Sequence, residues 1–343
     1  MYDQLIEING IKLEKKYIES LTFEEREDLI EPIFSKLRGM GWTFPDNSDE
    51  LMDSYEDLVK FNPDLNSKEI FNNSSLATDI CKYFCHNFYY ATEKKKPTMI
   101  DVFYDDTKLR KIIRNRLGMD WLLADKKGPG VNEAFNLSFR MIVQGMRSMR
   151  MVNSTSIFKP SIAKYMCLKY SNEGDVVGDY SCGFGGRLLG AMSCGRQYIG
   201  TDPLTTEELE KMASFFNFKN YKLINSGSEN YRGEKNSIDL YWSSPPYFDQ
   251  EYYSNDDTQA YNKGEDYFYN VYWKNTLNNV KYMLKPGKWF GLNIKNYPKM
   301  LEMAKEEFGE VVEEVYLRTV RSHLNKTAGI EKMESIYMFK NNK

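Results

Sequence analysis

The sequence predicts an α/β protein: a Rossmann-like sheet that follows a mostly helical N-terminal domain. Three stretches carry the prediction. Asp175–Tyr180 reads as a short strand, and Ser181-Cys182-Gly183-Phe184-Gly185-Gly186-Arg187 as a glycine-rich turn opening an apolar helix from Leu188 to Ser193. Tyr198–Asp202 reads as a second strand ending in an acid, at the interval of roughly 20 residues from Asp179 that one crossover helix requires. Ile238–Trp242 is an apolar run stopped by Ser243-Ser244-Pro245-Pro246-Tyr247, which reads as a buried strand with an abrupt end.

Composition sets the outer bounds. A chain of 343 residues suits one large domain plus a smaller one. The boundary is placed at residue 135, with 1–135 mostly helical and 136–343 holding the sheet. A net charge of −3 is not that of a nucleic-acid binder, so any such contact must come from local basic stripes. No apolar run approaches membrane-spanning length, and Met1-Tyr-Asp-Gln-Leu-Ile-Glu7 lacks a basic region followed by an apolar core. A soluble, cytoplasmic protein with no membrane contact is expected. Five cysteines without framework spacing point to reduced thiols in an intracellular compartment.

In the N-terminal part, Thr22 and Glu25 have the spacing of a capping box, and Leu29, Ile30, Ile33, Phe34 and Leu37 recur at helical intervals until Gly39 and Gly41. Leu51–Phe61 and Leu76–Tyr90 read as further helices. Cys81, Cys85 and His86 fall together there, but no second ligand pair follows, so they are read as helix core and no metal is expected. Lys108, Arg110, Lys111, Arg114 and Arg116 suit either a phosphate-contacting face or a solvated one. Asp125-Lys-Lys-Gly-Pro-Gly130 is the linker candidate. Beyond it, Arg140, Arg147 and Arg150 are spaced to share one helical face, which suits a nucleic-acid contact as well as an ordinary surface.

In the next part, the glycines of the turn let backbone approach a ligand whose polar end meets free amides at the helix start. Asp202 is placed to accept ribose hydroxyls. Tyr221–Asn225 is a third strand, and Ser226-Gly-Ser-Glu-Asn230 a loop placed to face an adenine ring. A nicotinamide dehydrogenase would need a third glycine where Leu188 stands, and leaves the Ser-Pro-Pro-Tyr stretch unexplained.

That stretch supplies the chemistry. Two prolines cannot continue a central strand, so the chain leaves the sheet in a rigid loop. The loop presents the Ser244 hydroxyl, the Pro245 carbonyl freed by Pro246, and the Tyr247 ring. An exocyclic amine is a poor nucleophile because its lone pair is delocalised into the ring. Two oxygens that each accept one amine hydrogen favour a pyramidal nitrogen with a localised pair. The aromatic ring stacks on a base flipped from a duplex. The acidic, aromatic stretch Phe248–Asp257 is expected as a lid. Asp249 and Glu251 are not needed as bases, since the amine attacks before it loses a proton. Downstream, Tyr269–Leu284 is a helix, Lys285-Pro-Gly287 a turn, Trp289–Ile294 a strand and Leu301–Phe308 a helix. Val312–Val320 and Ser335–Phe339 form a last pair of strands, expected antiparallel at the sheet edge. The connection between them carries Arg321, His323, Lys326 and Lys332, a basic loop suited to phosphate contact or to solvent.

The Ser-Pro-Pro-Tyr loop after an apolar strand resembles the catalytic motif of amino-group DNA methyltransferases that use S-adenosylmethionine. In that family the Ser form is most typical of enzymes acting on the cytosine amine, and Asp- or Asn-Pro-Pro-Tyr of those acting on the adenine amine. Asp179-Tyr-Ser-Cys-Gly-Phe-Gly-Gly186 is similar to the family's Asp-Pro-Phe-Cys-Gly-Ser-Gly-Thr loop, departing at Tyr180, Ser181, Phe184 and Gly186. Phe158-Lys159-Pro160 is similar to its Phe-x-Lys-Pro-type segment. The resemblance implies a Rossmann-like methyltransferase sheet over 136–343. Its catalytic residues would be Ser244, Pro245, Pro246 and Tyr247. S-adenosylmethionine contacts would fall at Phe158, Lys159, Pro160, Asp179, Ser181, Gly183, Gly185, Asp202 and Ser228. The family's frequent aspartate on the third-strand loop is replaced by Ser228 or Glu229. The partner it implies is duplex DNA with a flipped base, contacted through Arg140, Arg147, Arg150, Arg321 and Lys326. The motif order is that of enzymes whose target recognition follows catalysis; here too little chain follows the last strands, so the N-terminal helices are the expected reader. An RNA or protein-amide methyltransferase, and a binding protein that keeps the fold without turnover, are the other readings.

Overall fold

The computed structural model describes every residue except 68, 72–74, 94–95, 121–129, 132, 153–154, 249–250, 255, 296, 319–333 and 343. The chain divides into two compact units, Met1–Ser48 with Phe88–Thr155, and Asp49–Asn87 with Ser156–Lys343. This division does not run at residue 135. Residues 49–87 group with the sheet, and 136–155 with the N-terminal helices. Most of the linker candidate, 125–129, lies outside the described residues.

The first unit is built on helices. Thr22 and Glu25 close the capping box of Phe23–Asp28. A break at Leu29 separates that helix from Ile30–Met40, whose buried face is Ile30, Ile33, Phe34 and Leu37. Gly39 lies inside this second helix, and Gly41 caps it with φ 70°. The basic residues of Asp106–Arg116 are largely engaged within the unit. Arg110 reaches Glu31 at 2.6 Å, Arg114 pairs with Glu27, and Lys108 sits 2.9 Å from Asp105. The arginine stripe is shorter than its spacing suggests, because Phe139–Ser148 ends before Arg150, which adopts φ 56° in the following turn.

The second unit is an eight-stranded sheet. Its strands in chain order are β1 (Glu69–Phe71), β2 (Val176–Asp179), β3 (Gln197–Thr201), β4 (Tyr221–Ile224), β5 (Ile238–Ser243), β6 (Leu284–Ile294), β7 (Glu313–Arg318) and β8 (Glu334–Lys340). Their spatial order is β1-β7-β8-β6-β5-β2-β3-β4. β8 runs antiparallel to both neighbours, and every other pairing is parallel. The chain winds outward from β2 through β3 and β4, then returns to start β5 on the other side. This is a Rossmann-like sheet, with its topological switch point between β2 and β5. The last two strands pair antiparallel, but they do not form the edge. β8 inserts between β6 and β7, and β1, from the N-terminal third, pairs in parallel along β7.

The helices are α1 (Pro160–Tyr170), α2 (Gly186–Met192), α3 (Thr206–Phe215), α4 (Lys274–Met283) and α5 (Pro298–Phe308). α1 and α2 cross closely: a Cβ on Gly190 would lie 2.4 Å from the Ala163 Cβ. Buried Lys164 donates to the Leu58 and Val59 carbonyls at 3.0 and 2.6 Å, capping the C-terminal end of Leu51–Lys60 and fastening it to α1. β5 is buried along its whole length, as its apolar run requires. Lys285-Pro-Gly287 interrupts pairing with β5: Ile238 faces Leu284 while Leu240 already faces Trp289, so the turn is a bulge inside β6. On one face Phe290 stacks on Phe308 at 4.5 Å, with Tyr180, Tyr241 and Trp273 in the same core. Among the described residues no helix is long and apolar enough to cross a membrane, and no cluster of His, Cys, Asp and Glu could hold a metal.

Candidate active site

The C-terminal ends of β2 and β5 meet at the switch point, and buried Asp179 ties them together. Its Oδ1 accepts from the Ser243 hydroxyl at 2.6 Å and from the Ser181 amide at 3.0 Å. Its Oδ2 accepts from Arg187 Nε at 2.8 Å and from the Tyr198 hydroxyl at 2.6 Å. Four donors fill the four lone-pair directions of a carboxylate. Asp179 therefore positions the glycine turn and the end of β5 and does not face a ligand. Burial opposes the charge on Arg187, but the Asp179 carboxylate outweighs it and holds the guanidinium above its ordinary pKa.

The turn itself depends on its glycines. Gly185 caps α2 with φ 82°, and Gly186 allows Phe158 to pass so closely that a Cβ there would sit 1.9 Å from the Phe158 carbonyl oxygen. The Gly183 amide donates to Asp202 Oδ2 at 2.9 Å, while Asp202 Oδ1 accepts from Leu204 and Thr205 amides at 2.9 and 3.1 Å. Three of the four lone-pair directions are taken, and the remaining one is on Oδ2. Burial raises the Asp202 pKa, and these amides oppose the shift.

A cavity opens on this edge of the sheet. Phe158, Ser181, Gly183, Asp202 and Ser228 line one part of it, and Ser244, Pro245, Pro246 and Tyr247 another. Lys159, Pro160 and Gly185 do not line it. They shape it, Lys159 as the N-cap and Pro160 as the first residue of α1, and Gly185 as the cap of α2. Ser228 is buried with its hydroxyl 2.7 Å from that of Thr276, and its carbonyl accepts from Asn279 at 3.0 Å. This fixes the adjacent Glu229, whose Oε1 accepts from the Tyr267 hydroxyl at 3.1 Å. Its Oε2 is buried on the cavity with no hydrogen-bond partner among the described residues. Thr201 Oγ1, Gln259 Nε2 and Asn293 Oδ1 are in the same condition on the same cavity. Buried polar atoms are seldom left alone, so four such atoms on residues that line one cavity set this region apart.

The loop after β5 is held from both sides. The Tyr247 ring packs 5.1 Å from that of Tyr297, its amide donates to Glu251 Oε2 at 3.3 Å, and Tyr253 donates to the same oxygen at 2.9 Å. Glu251 is thus a clamp on the loop. Burial, and to a lesser degree Glu334 and Glu251, push the Tyr247 phenol well above its ordinary value. After Tyr247, Tyr253 faces Phe184 at 6.0 Å, and Glu251, Tyr253, Thr258, Gln259 and Ala260 line the space. Asp249 lies outside the described residues.

Several residues of the site lay outside the sequence reading. Tyr272 lines the cavity 3.4 Å from the Ser181 hydroxyl, from a π-helical stretch, Phe268–Trp273, that precedes α4. Such a widened turn is a common mark of functional sites but has no sequence signature. Gln259, Asn293 and Glu334 also line it, each on a segment with no motif. Arg140, Arg147 and Arg150 belong to the other compact unit. All three are exposed, and Arg140 pairs with Asp3 at 2.8 Å. Arg321 and Lys326 lie outside the described residues.

No family model and no curated protein matches the sequence. Solved structures do. A geranyl diphosphate C-methyltransferase from Streptomyces coelicolor A3(2), in complex with Mg2+, geranyl diphosphate and S-adenosyl-L-homocysteine, is 11% identical with a TM-score of 0.38, over 53% of this chain and 78% of that one. A methyltransferase from Pyrococcus furiosus is 17% identical with a TM-score of 0.37, over 54% and 83%. The tRNA (m1A58) methyltransferase TrmI from Aquifex aeolicus is 16% identical with a TM-score of 0.36, over 54% and 70%. Likenesses this distant assign no substrate and no residue role to this chain.

Proposed function

We propose that this chain is an S-adenosylmethionine-dependent methyltransferase acting on the exocyclic amine of a base in DNA, cytosine N4 ahead of adenine N6. The observation that carries the reading is the shared cavity. Ser244 and Pro245 at the end of β5 line the same space as Asp202 at the end of β3 and as four residues that each carry a buried polar atom without a partner among the described residues.

The residues fit the cofactor. Asp202 Oδ2 keeps a lone pair for a ribose hydroxyl, and Glu229 Oε2 is an acceptor without a donor, suited to the adenine amine. Among the cavity's charged side chains, Arg187 is matched by Asp179, and Asp202, Glu229 and Glu251 leave it acidic, as a cationic ligand requires. When bound, S-adenosylmethionine supplies an electrophilic methyl group on a sulfonium centre.

The chain's own part is orientation and electrostatics. The Ser244 hydroxyl and the Pro245 carbonyl each accept one hydrogen of the target amine and stabilise the positive charge that develops on its nitrogen. Tyr247, held by Tyr297 and Glu251, offers a ring for the base to stack on. No base is needed before attack, which agrees with Glu251 being engaged by two donors. Lid residues 251–260 limit water around the amine.

Nucleoside mass spectrometry tests the reading. The protein is incubated with labelled S-adenosylmethionine and mixed-sequence duplex DNA, which is then digested. Label on cytosine N4 supports the whole proposal. Label on adenine N6 keeps the amine chemistry and overturns the base choice, and DNA without label overturns the DNA assignment. Ser244→Ala should lower transfer by about 100-fold, as for the loss of one preorganised hydrogen-bonding group.

A further inference from the structure

Asn293 and Glu334 have no part in the chemistry above, yet they stand beside it. The sheet register places them there. Ser243 at the end of β5 pairs with Leu292 of β6, so Ser244 leaves the sheet next to Asn293. Asn293 in turn pairs with Ile336 of β8, two residues from Glu334. Because β8 is the reversed strand, its first residue reaches the same edge at which the parallel strands end. Both side chains line the cavity that Ser244 and Tyr247 line.

Their chemistry is asymmetric. The Asn293 side chain is wholly buried, and its Nδ2 donates to the Ser335 carbonyl at 3.0 Å. That bond fixes the amide, whose Oδ1 is buried with no hydrogen-bond partner among the described residues. Glu334 is the acidic group beside it. Burial raises its pKa, opposed by the Asn293 amide and by the charge of Lys295. Tyr247 lies close enough to feel the Glu334 charge.

An amine on a heterocycle sits beside a ring nitrogen that carries a lone pair: N3 next to N4 in cytosine, N1 next to N6 in adenine. The enzyme's two oxygens satisfy the amine and leave that ring nitrogen unread. A carboxyl that holds a proton can donate its O–H to that ring nitrogen. We propose that Glu334, oriented by Asn293, is the specificity residue that reads the ring nitrogen beside the target amine. The inference rests on the amine-methyltransferase reading above. It narrows the substrate to bases with an acceptor nitrogen next to the amine. Binding the base leaves covalent bonds unchanged at Glu334, which only shares its proton in a hydrogen bond.

The test compares duplex DNA containing cytosine with DNA containing 3-deazacytosine, whose ring presents C–H in place of the acceptor nitrogen. Adenine and 1-deazaadenine form the parallel pair. Wild-type protein should prefer the natural base by about tenfold or more in kcat/KM, the scale of one specific base contact. Glu334→Ala should lose that preference, with the loss on the natural base mainly in KM. Glu334→Gln, which keeps a donor for the ring nitrogen, should retain it. Unchanged affinity for S-adenosylhomocysteine reports that each variant is folded. If Glu334→Ala methylates but discriminates as wild type does, the assignment of Glu334 is wrong while the enzyme reading stands. If Glu334→Gln loses the preference as fully as alanine, hydrogen-bond readout is wrong. If wild type methylates no base amine at all, the function reading fails and takes this assignment with it.

Discussion

Replacing Asp179 by Asn changes one atom and should cost a large part of the stability of the sheet unit. The carboxylate takes four donors, two on each oxygen. Asparagine keeps one acceptor oxygen. With that oxygen toward Ser181 and Ser243, its NH2 group faces the Arg187 N–H and the Tyr198 hydroxyl. The hydroxyl can turn and accept, but the guanidinium cannot. Arg187 is 4% exposed, and its other described bond is to the Ser181 carbonyl. It becomes a buried charge without a counter-charge, and breaking a buried pair in this way costs about 3–5 kcal/mol. Against a total of about 5–15 kcal/mol for a typical protein, this is about a fifth or more. Urea unfolding at neutral pH, followed by tryptophan fluorescence, reads the change; Trp242 and Trp273 are fully buried in this unit. Tyr198→Phe is the control, losing one bond to a charged acceptor, about 1.5–3 kcal/mol. An Asp179→Asn protein within about 0.5 kcal/mol of wild type, a change expected only for neutral surface substitutions, would show that the Asp179–Arg187 pair does not organise the switch point.

Three further outcomes are expected. Gly186→Ala forces a methyl group to 1.9 Å from the Phe158 carbonyl, so the segment leading into α1 must move; calorimetry should show S-adenosylhomocysteine binding weakened by at least about tenfold, equal to about 1.4 kcal/mol. Asp202→Ala removes the lone pair left for ribose and the anchor of the Gly183 amide, and should weaken the same binding by about 1.5–3 kcal/mol. Burial raises the folded pKa of Glu334 above its unfolded value, so its contribution to stability is complete below the unfolded pKa and is lost as pH rises through the folded one. Glu334→Gln should therefore flatten the decline in stability from about pH 4 upward, and an unchanged slope in pH-dependent urea unfolding would count against that shift.

Much of the sheet could be read from local chemistry. The glycine turn, the acid closing β3 and the double proline closing β5 each dictate backbone over a few residues, and each stands where its pattern requires. Long-range pairing was less legible. β8 is too short a segment to announce that it will insert between β6 and β7, and β1 gives no local sign of the strand it joins. The site divides in the same way. Ser244–Tyr247, Gly183 and Asp202 are carried by motifs. Glu229 was visible only as a substitute beside Ser228. Tyr272, Gln259, Asn293 and Glu334 are single residues on unremarkable segments, gathered by the order of the strands and by a π-turn. Asp179 was legible as important but not in its role, since four partners from four places in the chain decide that it faces inward.

The pairing of β1 with β7 bears on how this protein can be cut. A fragment starting at residue 156 retains every motif of the site but lacks Glu69–Phe71, whose backbone lies along Tyr316–Arg318. It also lacks the helix end that Lys164 caps, stranding a buried ammonium group. The bare rim of β7 would then offer unpaired N–H and C=O groups to any other chain with a free rim, including another copy of the fragment. Such a truncation should precipitate or form higher-order species on size exclusion. Supplying residues 49–87 as a separate peptide should restore a soluble particle, which makes this interrupted domain a natural split-protein pair.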